Sequence, residues 1–259
     1  MSGVRLPAGS VPVDEVTVPA GAVVVTDLHL SPEGDARTDA FLAWWDARAP
    51  RPPMLIVLGD LFDTWVGPKQ GRLPGSATVL AFFEGLAGQG VAVHLVPGNR
   101  DALMGADVED ATGASVHLEG FVGALADGSR AAFVHGDGLC ILDRGYQRLR
   151  KVWRMGAVRA VSRLVPLFVA RAVARRLRRR SERAKPLKLD AERAIRPEAV
   201  DALARATDAD LVVCGHAHEP RDERAPGGAR WVVVGAFGEG RGGEVLELQV
   251  DRPTVRAQG

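Results

Sequence analysis

Seven short apolar runs punctuate the chain, at residues 22–25, 54–58, 91–96, 131–134, 211–213, 231–234 and 245–250. Each is nearly uninterrupted instead of alternating with polar residues, the pattern of strands covered on both faces. Between them the apolar spacing changes to that of a helix over 38–47, 76–87, 145–180 with a break at Pro166, and 197–206. Strands alternating with helices predict an α/β fold. No internal repeat is present, and 259 residues suit one domain, 1–259, carrying an insertion at 145–190.

The residues at the end of each run carry the chemistry. Residues 22–25 lead into TDLH at 26–29, and 54–58 into GDLFD at 59–63. Residues 91–96 lead into PGNRD at 97–101, 131–134 into HGD at 135–137, and 211–213 into CGHAH at 214–218. Open α/β sheets bind ligands at the carboxyl ends of their strands. A single strand-end Asp is usually a turn or cap, and a lone His is usually structural. Five such ends in succession, delivering Asp27, His29, Asp60, Asn99, His135, His216 and His218, predict a shared site. Carboxylate, amide oxygen and imidazole without thiolate suit Mn²⁺, Fe or Zn better than calcium. Seven ligands fit two ions sharing a bridging carboxylate. Two such ions about 3.5–4 Å apart can clamp the attacking and leaving oxygens of a displacement at phosphorus.

The set DLH, GDLFD, GNRD, HGD and GHAH resembles the motifs of the calcineurin-like metallophosphoesterase superfamily. Over about residues 22–250, further stretches are similar to the UDP-2,3-diacylglucosamine hydrolase family of lipid A biosynthesis. These are DLFDTWVG at 60–67, GNRDALMG at 98–105, HGDGLCILD at 135–143, the pairs Tyr146-Gln147 and Trp153-Arg154, and VGAFGEG at 234–240. The resemblance implies a four-layer sandwich of two central β-sheets flanked by helices, with a helical lid. It implies hydrolysis of a pyrophosphate, releasing UMP and a 2,3-diacylglucosamine 1-phosphate, with two divalent ions, Mn²⁺ foremost. It assigns Asp27, His29 and His218 to one ion and Asn99, His135 and His216 to the other, with Asp60 bridging. Asp60, Asn99 and Arg100 are then the catalytic set, while Asn99, Arg100, Asp143, Tyr146, Lys185 and His218 meet substrate. The chain departs from the family pattern in three places. Glu219 follows GHAH where a basic residue is more usual, and the 235–240 turn lacks an aromatic–His pair. The lid's substrate-contacting polar residues do not align across 181–188. Residues 1–20 also form an extension with no counterpart.

Arg100 bears on the substrate independently. Relatives with His after the Asn can protonate an alkoxide leaving group. Arginine stays charged and donates no proton. A phosphate leaving group, with its second pKa near 6, needs no such donor. The residue therefore favours a pyrophosphate over a simple alkyl ester, unless it only pairs with Asp63 or Asp101. Asp63, Asp101 and Asp137 are candidates to orient ligand histidines, or turn residues.

Charge adds a second region. The total is +1, yet residues 148–188 hold fifteen Lys or Arg against one acid, Glu182, a net +14 that leaves −13 elsewhere. Val152, Met155, Val158, Val161, Leu164, Leu167, Phe168, Val173 and Leu177 recur there at helical spacing. A basic amphipathic insertion predicts contact with an anionic bilayer. The resemblance makes it a lid over acyl chains, and the alternative is an apolar stripe packed on the core. A nucleic-acid partner is disfavoured, since Trp153 and Phe168 are the only stacking aromatics. No 20-residue apolar span and no signal segment are visible. Two cysteines, Cys140 and Cys214, are too few for a disulfide framework and fit a reducing, cytoplasmic setting. The resemblance and the basic insertion together imply peripheral association with the inner membrane's cytoplasmic face. They and His94 and His117 are expected to be structural. The competing functional readings are the same centre acting on another phosphodiester or nucleotide pyrophosphate, and an inactive protein that binds anionic surfaces.

Overall fold

The computed structural model describes residues 6, 11–184, 191, 194–240, 244–249 and 253–256. Two six-stranded sheets lie at its centre. The first, in the order β12-β11-β2-β3-β4-β5, contains β2 (Ala22–Val25), β3 (Met54–Leu58), β4 (Ala92–Val96), β5 (Ser115–Val116), β11 (Val245–Leu248) and β12 (Pro253–Arg256). The second, β1-β6-β7-β8-β10-β9, contains β1 (Asp14–Val18), β6 (Phe121–Leu125), β7 (Arg130–Phe133), β8 (Leu211–Cys214), β9 (Arg221–Arg224) and β10 (Arg230–Val233).

The period of two along each buried run builds three apolar layers. Ala22, Val24, Met54, Ile56 and Leu58 point inward and meet Phe121, Phe133, Leu211 and Val213 between the sheets. Val23, Val25, Leu55 and Val57 point the other way, onto α1 (Ala36–Asp46), α2 (Pro74–Gly88) and α3 (Ala106–Thr112), through residues such as Phe41, Phe83 and Val108. Val212 and Cys214 face α7 (Pro197–Thr207), meeting Val200 and Leu203. The order helix, sheet, sheet, helix is the four-layer sandwich expected. Strands buried on both faces read as continuous apolar runs for this reason.

Elements without such runs escape the sequence pattern. The edge strand β9 is Arg-Asp-Glu-Arg and fully exposed. In β6, Gly123 interrupts the run, because a Cβ there would lie 2.7 Å from the Phe133 ring. Residues 14–18 of the N-terminal extension form β1, which adds a parallel edge strand beside β6. Asp14 there meets His117 Nδ1 at 2.8 Å, and His117 Nε2 meets His94 Nδ1 at 2.9 Å.

The basic insertion emerges between β7 and β8 as α4 (Arg144–Trp153), α5 (Gly156–Leu164) and α6 (Leu167–Ala184). The predicted 145–180 helix therefore breaks twice. Besides Pro166, it breaks at Met155, whose extended backbone (ψ 130°) caps α5 while Arg154 reaches inward to the Pro97 carbonyl. The apolar stripe does not pack on the core. α5 buries no residue, and Leu164 and Phe168 are 78% and 75% exposed.

Candidate active site

β2, β3 and β4 run parallel in one sheet, and β7 and β8 run parallel in the other. Their carboxyl ends bring the seven strand-end residues to one place. His29 Nε2 lies 3.4 Å from His218 Nε2, which lies 3.5 Å from Asp27 Oδ1. His135 Nε2 lies 3.2 Å from both Asn99 Oδ1 and His216 Nδ1. Asp60 spans the two groups, with Oδ1 3.8 Å from His135 Nε2 and Oδ2 3.9 Å from His29 Nδ1. Asp27, His29 and His218 can hold one ion; Asp27, Asp60 and His135 offer donor atoms within 4.8 Å of one another for a second.

The donor set fits cations. The outward Nδ1 of His135 sits 2.8 Å from the Leu58 carbonyl, which fixes that nitrogen as the donor. Its Nε2 then turns a lone pair toward Asn99 Oδ1 and His216 Nδ1. Among the described residues, buried Asp27 Oδ1 and His29 Nδ1 have no hydrogen-bond partner. Buried polar atoms left unpaired in this way are costly, and a bound cation would satisfy them.

Protonation equilibria agree for His29 and His216, whereas His135 and His218 shift upward: at His135 burial is outweighed by Asp60 and Asp27, and at His218 the contact with Asp27 leads. Burial, followed by Arg100, pushes His29 down to about 3, and burial, followed by His135, pushes His216 down to about 4. Both rings are neutral at pH 7, the state that ligates metal. Burial would raise Asp27, but contacts with His218, His135 and His216 outweigh it and hold the carboxyl well below the usual range. Asp60 goes the other way, pushed up to about 7 by burial, opposed by His135 and reinforced by Asp101 and Asp27. A carboxyl so placed ionises fully only beside positive charge.

The backbone is strained where the ligand set lies. Among the described residues six non-glycines have positive φ, and five are Asp27, His29, Asp60, His216 and His218, at 50° to 67°. Left-handed backbone costs about 1–2 kcal/mol per residue with a side chain. Ladder bonds between the two loops offset it: Asp27 N–H donates to the Gly59 carbonyl (3.1 Å) and His29 N–H to the Asp60 carbonyl (2.9 Å). The motif glycines have a steric cause. A Cβ on Gly98 would lie 2.3 Å from Asp60 Oδ1, and one on Gly215 would lie 2.0 Å from Thr26 Oγ1 and 2.6 Å from Asp27 Oδ2.

The remaining predicted residues divide. Arg100 borders the centre, its N–H donating to Asp60 Oδ1 (2.8 Å) and its Nη1 to Asp63 Oδ1 (2.7 Å). The pairing with Asp63 is the plainer of its two expected roles. Asp143 Oδ1 accepts the Tyr146 N–H and caps α4, and the Tyr146 hydroxyl donates to Asp137. Lys185 lies outside the described residues. Asp101 accepts the N–H groups of Gly98 (2.6 Å) and Phe62 (3.3 Å), tying two loops together. Asp137 contacts no ligand ring by hydrogen bond in the structure; it anchors α4. Burial alone would raise its pKa, and Arg150, then Arg154, hold it low instead. Cys140 and Cys214 are buried, and burial pushes Cys214 up to about 12, so neither is a nucleophile.

The motifs assigned no role to Arg150, Arg154 or Glu239. Arg150 bridges Asp137 (2.9 Å) and Glu119 (2.7 Å). Glu239 Oε1 lies 3.1 Å from His218 Nδ1. Only the oddity of the 235–240 turn hinted at it. The insertion reaches the same loops, with Arg171 paired to Glu33 (2.6 Å) and Arg178 to Asp63 (3.4 Å). Lys69 Nζ donates to the carbonyls of Leu164 (3.0 Å) and Val165 (3.1 Å).

The family model described as calcineurin-like phosphoesterase matches residues 22–220. The UDP-2,3-diacylglucosamine hydrolase of Ralstonia nicotianae is 36% identical over 227 residues, which cover 84% of this chain and 84% of that one. Its namesakes from Aeromonas salmonicida and Pseudomonas putida are each 33% identical, covering 76% of this chain and 76% and 82% of theirs. The family match takes in all five strand ends and their seven converging side chains, and the chain belongs to the calcineurin-like phosphoesterase family.

Proposed function

We propose that this protein is a di-metal hydrolase that cleaves the pyrophosphate of UDP-2,3-diacylglucosamine to UMP and 2,3-diacylglucosamine 1-phosphate. The observation that carries the reading is the convergence of Asp27, His29, Asp60, Asn99, His135, His216 and His218 in a chain whose relatives bear that substrate in their names. Asp27, His29 and His218 would hold one ion and Asn99, His135 and His216 the other, with Asp60 lying between the two sets. Mn²⁺ suits these donors, with Fe or Zn as alternatives. Such ions neutralise phosphate oxygens and make water a nucleophile at neutral pH.

The chain's own groups do the rest. Neutral His29 and His216 present lone pairs, and ionised Asp27 and Asp60 supply negative charge. Arg100, already 3.5 Å from Asp60 Oδ2, swings from Asp63 to the phosphoryl oxygens and stabilises their spreading charge. Asn99 and His218 border the same space. Asp143, Tyr146 and Lys185 at the root and far end of the insertion orient the sugar.

The insertion recruits the enzyme to the inner membrane's cytoplasmic face and admits acyl chains. Its exposed Val161, Leu164, Phe168 and Val173, set among arginines, support this reading. No described helix is long and apolar enough to cross a membrane. Phosphorus NMR of the purified protein with Mn²⁺ and the diacylated nucleotide sugar tests the proposal. Resonances of UMP and a sugar 1-phosphate are expected. Unchanged substrate alongside hydrolysis of a plain phosphodiester would reassign the substrate.

A further inference from the structure

His218 is the loosest of the converging imidazoles. Its side chain is 32% exposed, whereas that of His135 is fully buried. The His135 ring is fixed by its bond to the Leu58 carbonyl and by close packing around it. His218 is more open, with the His29 ring 5.3 Å away on one side, and its backbone (φ 60°) lies outside any strand or helix. The group that faces its outward nitrogen is the Glu239 carboxylate, 3.1 Å from Nδ1.

Glu239 is itself held firmly. It sits in a turn whose Phe237 N–H donates to the Thr26 carbonyl (3.2 Å), immediately before Asp27. The Phe237 ring is buried edge-on against Phe41 and Trp44, with centroids 5.6 and 5.1 Å apart. On the other side the Gly238 N–H donates to buried Glu244 (2.9 Å). Gly238 (φ 79°) and Gly240 (φ 67°) take conformations that a side chain would resist. The turn therefore registers Glu239 against the same backbone that carries Asp27.

We infer that Glu239 is a positioning residue for one of the two ions, acting through His218. By accepting the Nδ1 proton it fixes the tautomer that leaves Nε2 free, holds the ring over Asp27 and His29, and makes Nε2 more basic. The inference rests on the di-metal reading above. Carboxylate partners of ligand histidines typically contribute 10–100-fold to metal affinity. The effect is confined to one ion, because the ring that Glu239 faces belongs to that ligand set, while His135 in the other set is oriented by the Leu58 carbonyl.

The test is Mn²⁺ binding to the metal-stripped full-length chain, resolved into two affinities by chelator competition, for wild type, Glu239→Gln and Glu239→Ala. Glu239→Ala is expected to weaken one ion by about 10–100-fold and leave the other within about twofold. Glu239→Gln keeps an acceptor for Nδ1–H but not the charge, and falls between. Thermal unfolding of the stripped protein is expected to be unchanged, since the residue is on the surface side of the site. Two ions bound by Glu239→Ala as tightly as by wild type, or both weakened equally, would overturn the inference and leave the di-metal reading standing. Wild type that binds fewer than two ions would overturn both.

Discussion

The strand-end centre and the basic insertion touch each other yet are held in shape by opposite means. At the centre, Asp27, His29, Asp60 and His135 are buried, five of the seven converging residues carry strained backbone, and loop glycines leave no room for a Cβ. In α5 and α6, Val161, Leu164, Phe168, Val169 and Val173 are exposed, and polar links tie the helices to the core: Lys69 to two carbonyls, Arg171 to Glu33 and Arg178 to Asp63. Exposed ion pairs of this kind contribute about 0–1 kcal/mol each. Packing thus goes into making the centre rigid, whereas the described part of α5 and α6 keeps much of its apolar surface exposed. The root of the insertion is the exception. α4 is clamped by Arg150 to buried Asp137 and to Glu119, so the insertion starts from a fixed base.

The contrast between the two regions breaks most severely at Asp60. Asp60→Ala removes the group that reaches both ligand sets, and the expected result is loss of both tightly bound ions and a fall in turnover beyond the factor of about 10²–10³ typical of one stabilising group. Metal content and rate measured on the same sample check it; two tight ions with near-normal turnover would rule out a bridging role. Arg100→Ala is expected to lower kcat by about 10²-fold with both ions retained. That separates charge stabilisation from ion holding.

The insertion should respond differently. Leu164→Glu with Phe168→Glu is expected to weaken flotation with anionic vesicles while hydrolysis of small, water-soluble phosphodiesters stays intact. Burying such a side chain in a bilayer contributes about 1.5–3 kcal/mol, so the pair is a large fraction of the apolar hold. Reversing charge at Arg175, Arg176 and Arg179 should weaken binding too and flatten its salt dependence, at about 1 kcal/mol per residue near the surface. Wild-type protein that ignores anionic vesicles, and turns over acylated and deacylated substrates equally, would reduce the insertion to a structural appendage.

A weaker effect lies outside both regions. Burial, followed by His117, pushes His94 down to about 4 from its usual 6.5. The folded chain keeps this ring neutral while the unfolded chain protonates it, so stability falls as pH drops from 6.5 toward 4. Denaturant unfolding across that window should show a shallower slope for His94→Gln than for wild type. An unchanged slope would remove His94 from the pH dependence.

Much of the centre was legible in the sequence because its causes are local. A buried strand reads as a continuous apolar run, and the residue types at its end declare metal chemistry. The seven side chains come from five loops in two sheets, yet each announces itself at a strand end. Glu239 was not legible, since its meaning depends on a turn registered by Phe237 against Thr26, on the far side of the sequence. Asp137 reads like a ligand-orienting residue until α4 is seen to take its carboxylate. The orientation of the insertion was also hidden. Helical periodicity gives an apolar stripe but not the side it faces, and only the structure turns Leu164 and Phe168 outward.

Everything proposed for this centre comes down to delivery of water to the uridylyl phosphorus. Hydrolysis of UDP-2,3-diacylglucosamine in ¹⁸O water, followed by phosphorus NMR of both products, reads that step alone. The isotope shift is expected in UMP, with none in the sugar 1-phosphate. Label in the sugar 1-phosphate would contradict the proposed attack, and so would the absence of either product.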